Sequence, residues 1–108
     1  MSVYRFKSRE TGDLVMLQPH GKRVLEIIGK DPAPQGIVLP QQMPAAVQAL
    51  RDAAVQEEAE QTRQREEAQA KGEPPPEFDH VSLRMRSAPF IEMMQRCEQA
   101  GVEIVWGV

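Results

Sequence analysis

Four basic side chains, Lys22, Arg23, Arg84 and Arg86, are the residues of this chain best suited to hold an anion. Ammonium and guanidinium groups recognise phosphate or carboxylate when several of them converge. Here they form two pairs far apart in sequence, so a site for a small anionic ligand requires the fold to unite them. His20, His80 and Cys97 offer nitrogen and sulfur to a zinc ion, but their spacing matches no compact metal motif. Both histidines read as polar boundary residues, His20 in a proline and glycine turn and His80 at the exit of a proline-rich stretch. Cys97 becomes a nucleophile only beside a base that makes its thiolate. Its helical phase with Phe90, Ile91 and Met94 predicts a buried small hydrophobe instead. The carboxylate pairs Glu57 and Glu58, and Glu66 and Glu67, lie in a strongly polar run with no apolar pocket to raise one pKa for acid catalysis. No phosphate-cradling glycine loop, G-x-S-x-G or C-x-x-C occurs. No catalytic residue, metal site or cofactor is expected, and a binding role is favoured over an enzymatic one.

Composition narrows the class further. The 108 residues suit one domain with one core, built from two apolar blocks at about 3–50 and 81–108. Between them lie a charged segment at 55–71, read as a solvated helix or a fraying linker, and a proline-rich linker at 72–77. A formal charge of -3 and one tryptophan with one tyrosine disfavour nucleic acid as a partner. The single cysteine excludes an intrachain disulfide and fits a reducing cytoplasm. No stretch approaches the roughly 20 apolar residues that span a bilayer.

The elements that must position these residues follow from periodicity. Alternation predicts a strand at 2–8 with Tyr4 and Phe6 on one face and Val3 on the other. Leu14, Leu17, Val24, Leu25 and Ile28 recur at mostly helical spacing, with Thr11 or Asp13 as the cap of a first turn. Pro19 and Gly21 interrupt that run, which predicts two helical pieces or one broken at 18–21, ending at Gly29. Residues 37–39 form a brief edge strand or an anchored loop. Met43, Val47 and Leu50 share one face of a helix with Pro44 in its first turn. Residues 81–86 fit both a strand and a helix; Pro89 either occupies the first turn of a helix capped near Ser87 or kinks a longer helix that begins near Ser82 and runs to Ala100, and the second is favoured. Val102, Ile104 and Trp106 alternate as a terminal strand that pairs with the N-terminal one. The fold class is therefore α+β, a small helical layer packed on a short sheet made from the N-terminal and C-terminal strands.

Six methionines add a second theme, because flexible thioethers fill irregular cores and also line adaptable partner grooves. Met43 and Met94 read as core, whereas the phases of Met85 and Met93 carry them toward the rim. Trp106 either closes the small core or stands exposed as an interface anchor, and closure is favoured.

Taken together, VYRFKS with GDLVML, GKRVLEIIGK, QQMPAAVQAL, VSLRMRSAPFIEMM and VEIVWGV resemble a family of small uncharacterised bacterial proteins known chiefly from proteobacteria. The resemblance covers nearly the whole chain and implies a cytoplasmic α+β protein with a variable charged middle. It implies no activity, cofactor or site residue. Two functional classes remain. One is a small interaction or regulatory domain with a protein partner or a second copy of itself, using groups such as Met93 and Trp106. The other is a small-ligand or anion-binding protein using Lys22, Arg23, Arg84 and Arg86.

Overall fold

A computed structural model describes residues 2–108. Strand β1 (Val3–Lys7) turns back into β2 (Leu14–Leu17), which runs directly into helix α1 (Gln18–Ile27). Strand β3 (Gly36–Val38) and a short 3-10 turn at Pro40–Gln42 lead into the long helix α2 (Met43–Ala70). Helix α3 (Leu83–Ala100) and strand β4 (Ile104–Trp106) complete the chain. The strands form one antiparallel sheet in the order β2-β1-β4-β3, so the two terminal strands lie side by side at its centre. Helices cover one face of the sheet. The expected α+β class, with N- and C-terminal strands in one sheet, is what the chain adopts.

Alternation decides which side chains enter the core. Tyr4, Phe6, Met16, Val38, Ile104 and Trp106 point toward the helices and are buried. Phe6 is their centre, stacked on Phe90 with ring centroids 4.6 Å apart and meeting the edge of Trp106 at 5.9 Å. Helix α2 contributes Met43, Ala46, Val47 and Leu50 from its first half, and α3 contributes Phe90, Met93, Met94 and Cys97. Close packing of β3 and α1 against two aromatic rings requires two glycines. A Cβ on Gly36 would lie 2.1 Å from the Trp106 ring, and one on Gly21 would lie 2.4 Å from the Tyr4 ring.

Two expectations are corrected here. Leu14 and Leu17 belong to a strand, not a helical turn, and neither Thr11 nor Asp13 caps a helix. Thr11 Oγ1 donates to the Gly12 carbonyl, and Asp13 meets Arg5 at 3.6 Å. The i, i+3 spacing of Leu14 and Leu17 is also compatible with a hairpin arm, and pairing with β1 supplies ladder bonds that one isolated turn lacks. The 18–21 segment does not break a helix but starts one. Pro19 occupies the first turn of α1, where its missing N–H removes no bond, and Gly21 is the residue that lets α1 touch Tyr4.

The long helix reading from Ser82 holds despite Pro89. Ser82 Oγ accepts from Met85 N at 3.1 Å as the cap, and Ser87 Oγ donates to the Leu83 carbonyl at 2.7 Å. The helix ends at Gly101 and α1 ends at Gly29, where terminators were expected.

Beyond Ala54 helix α2 leaves the core and continues to Ala70, so the charged segment is helical. At 1.5 Å per residue the 28-residue helix is about 42 Å long, which accounts for the elongated 53 × 30 × 21 Å molecule. Residues 73–82 return along this arm as an irregular strap. Arg65 lies 4.9 Å above the Phe78 ring, and Leu83 N donates to Glu57 at 2.8 Å.

Candidate functional site

Among the described residues no element covers the outer face of the sheet. Its residues are those that alternate with the core set: Val3, Arg5 and Lys7 on β1, Val15 and Leu17 on β2, Val105 on β4 and Ile37 on β3. Register places Val3 beside Leu17, Arg5 beside Val15, and Val105 between Lys7 and Ile37. Val3, Val15, Leu17 and Ile37 are 41–48% exposed, a level at which each retains about half its apolar surface in water. Val3, Val15 and Leu17 adjoin on β1 and β2, and Val105 and Ile37 on β4 and β3, with Arg5 and Lys7 between the two groups.

Cations cross this apolar face along β1. Arg5 meets Asp13, and Arg9, just beyond the strand, meets Glu103 at 3.5 Å. Lys7 Nζ instead donates to the main-chain oxygen of Val108 at 3.1 Å.

The residues singled out in the sequence are distributed differently. Arg23 pairs with Glu57 at 3.4 Å, Arg84 with Glu58 at 2.8 Å, and Arg86 with Asp79 at 3.1 Å. Lys22 is exposed on α1. Three of the four cations thus already hold carboxylates, and they fasten the arm and strap to the body. The Arg84 guanidinium draws the Glu58 carboxyl below its ordinary range. Asp79 is lowered by the Val81 backbone N–H and then by Arg86. Met93 is buried, which corrects its expected place at the rim, whereas Met85 is 60% exposed. Met93 lies on the α3 face that meets the sheet, and Met85 lies one step round the helix from it. Trp106 is buried and its Nε1 donates to the Ala33 carbonyl at 2.9 Å, so it closes the core and is not an exposed anchor.

A cavity of about 420 Å³ lies beside this tryptophan, bordered by Tyr4, Arg5, Gln18, Pro32 and Pro34. The Tyr4 hydroxyl donates to the Pro32 carbonyl at 2.8 Å, so both aromatic polar tips are used to anchor the 32–34 loop. Among the described residues Arg5 is the one charged group at its wall. Cys97 is buried with Sγ 3.0 Å from Ser8 Oγ. Among the described residues no three His, Cys, Asp or Glu side chains gather as a metal cluster. No helix among them is long and apolar enough to cross a membrane.

The sequence reading missed the outer face because it placed 14–17 in a helix. The signal was present: LVML is apolar at every position, so as a strand it must put two aliphatic residues on each face.

No curated protein and no solved structure matches the chain. The family model described as "Domain of unknown function (DUF1840)" matches residues 2–106, and the chain belongs to that family.

Proposed function

We propose that this DUF1840-family protein is a small non-enzymatic interaction domain whose open sheet face receives a protein partner. The partner's matching surface carries aliphatic side chains and at least one carboxylate opposite Lys7. The single observation that supports this reading is the uncovered sheet face on which exposed aliphatic side chains flank Lys7 and Arg5.

Completing the burial of Val3, Val15, Leu17 and Ile37 contributes on the order of 1 kcal/mol each, given their present exposure. That sum offsets only the lower part of an association cost of about 4–15 kcal/mol. A weak, exchangeable complex follows, with Lys7 and Arg5 accelerating encounter and making it sensitive to salt.

The test compares a partner captured by the wild-type protein with its binding to Ile37→Glu and Lys7→Glu proteins, both altered on the face and away from β2. The reading expects each substitution to weaken binding about tenfold or more and added salt to weaken the wild-type complex. Equal binding by all three proteins would sink it.

A further inference from the structure

The sheet has two edges, and they are defended differently. Strand β3 has three residues, with Pro34 shortly before it and Pro40 shortly after it, a short and proline-flanked edge. Strand β2 reads Leu-Val-Met-Leu, with no charge, proline or glycine to discourage another strand.

Its hydrogen-bonding direction can be deduced. Gln18 N donates to the Ser2 carbonyl at 3.1 Å, which makes Ser2 and Gln18 a bonded pair of the hairpin. Alternation then gives Met16 and Leu14 their ladder bonds to β1 and turns the N–H and C=O of Val15, and the N–H of Leu17, outward to the free edge. A groove runs beside that edge between β2 and α3. One end is bordered by Leu17, His20, Met85 and Arg86 and the other by Asp13, Glu92 and Arg96, with Leu14 and Pro89 common to both. The two portions have volumes of about 280 and 220 Å³.

We infer that this edge pairs with the same edge of a second copy, joining two four-stranded sheets into one of eight strands. A two-fold axis at Val15 sets Val15 opposite its counterpart, Leu14 opposite Met16 and Asp13 opposite Leu17. Val15 N–H then donates to the Val15 carbonyl of the second copy and Leu17 N–H to the Asp13 carbonyl, each twice by symmetry. The alternative register centred on Met16 needs the Leu17 carbonyl, which lies at the α1 N-cap and serves the first turn of that helix.

Antiparallel pairing brings the end of one groove that carries Glu92 and Arg96 against the end of the other that carries His20, while Asp13 and Arg86 already hold Arg5 and Asp79. Met85, whose exposed thioether lies at the groove wall, is covered in the process. A second copy is thus complementary in backbone and apolar contact, and this inference does not depend on the partner proposed for the open face.

Sedimentation equilibrium over a hundredfold range of concentration tests it, together with amide hydrogen exchange at Val15 and Leu17. The expected result is a mass rising to that of two chains, with Val15 and Leu17 amides slowing in parallel. Met85→Lys, on a solvent-exposed helical position, and Val15→Pro, which removes one donor from each copy, should each weaken dimerisation at least about tenfold. A mass of one chain throughout overturns the inference, leaving the edge to a different extended chain. So does a dimer whose Val15 and Leu17 amides exchange as fast as in the monomer, even if Val15→Pro fails to fold. A dimer indifferent to Met85→Lys overturns it as well.

Discussion

The two halves of α2 show how one helix can be held in two different ways. From Met43 to Ala54 it presents Met43, Ala46, Val47, Leu50 and Ala54 to the sheet and α3, all buried. From Val55 to Ala70 only Ala68 is buried, and the helix is decorated by Arg63 with Glu60 and Glu67, and by Glu67 with Lys71. The first half is held by area removed from water, the second by propensity, short-range ion pairs and a strap. Disturbing the body should therefore cost the whole fold, whereas disturbing the arm should be local and sensitive to salt and pH.

The largest effect belongs to Phe6→Ala. Phe6 joins Phe90, Tyr4 and Trp106, and its removal leaves a cavity among elements from both ends of the chain. A loss of about 3–5 kcal/mol is expected in denaturant melts followed at both Trp106 and the helical signal. A loss below that range with unchanged Trp106 fluorescence would mean that the aromatic cluster is not the centre of stability.

Gly36→Ala tests the same region by adding volume. The new methyl would meet the rigid Trp106 ring at 2.1 Å, and because Gly36 pairs with Trp106 across β3 and β4, neither side can withdraw without disturbing the ladder. About 1–3 kcal/mol of destabilisation is expected. A neutral result would show that β3 slides freely, contrary to its place at a defended edge.

How much of this contrast the sequence carried depends on the kind of signal. The strand faces of Tyr4, Phe6, Ile104 and Trp106 and the α2 face of Met43, Val47 and Leu50 follow from periodicity alone, because burial selects side chains at fixed intervals. Pro19 and Gly21 misled because the same residue types end helices and begin them. Only contact with Tyr4 explains the glycine, and that contact is long-range. The open face was hidden for a related reason: whether an apolar strand is covered on one side or two is decided by elements remote in sequence. Arg23, Arg84 and Arg86 were visible as cations, but Glu57, Glu58 and Asp79 become their partners only when the arm and strap lie together.

On the arm side, Phe78→Ala removes the ring beneath Arg65, an exposed contact of about 0.5–1 kcal/mol. The midpoint of global unfolding should move little. Amides of residues 61–71 should exchange faster while those of Phe6 and Leu50 stay protected. A global loss comparable to that of Phe6→Ala would erase the distinction between the two halves.

Acid provides the mildest perturbation and the one most selective for the arm. Hydrogen bonds from Arg63 and then Gln64 hold the Glu60 carboxyl at about 2, below its ordinary 4.5. Glu67 is lowered by Lys71 and Arg63, and Glu58 by Arg84. A depressed carboxylate binds fewer protons in the folded chain than in the unfolded one, so its contribution is present above the ordinary value and disappears as pH falls through the folded one. For Glu60 that window runs from 4.5 down to about 2. All these groups are exposed, so solvent and salt reduce the effect and the loss should be gradual. Helical circular dichroism should fall through the window while the near-ultraviolet signal of Trp106, which lies in the body, persists. High salt should flatten the decline before acid is added. If the tryptophan signal instead fell in step with the helical one, the arm and the body would be a single cooperative unit, and the charges on α2 would be supporting the sheet as well as themselves.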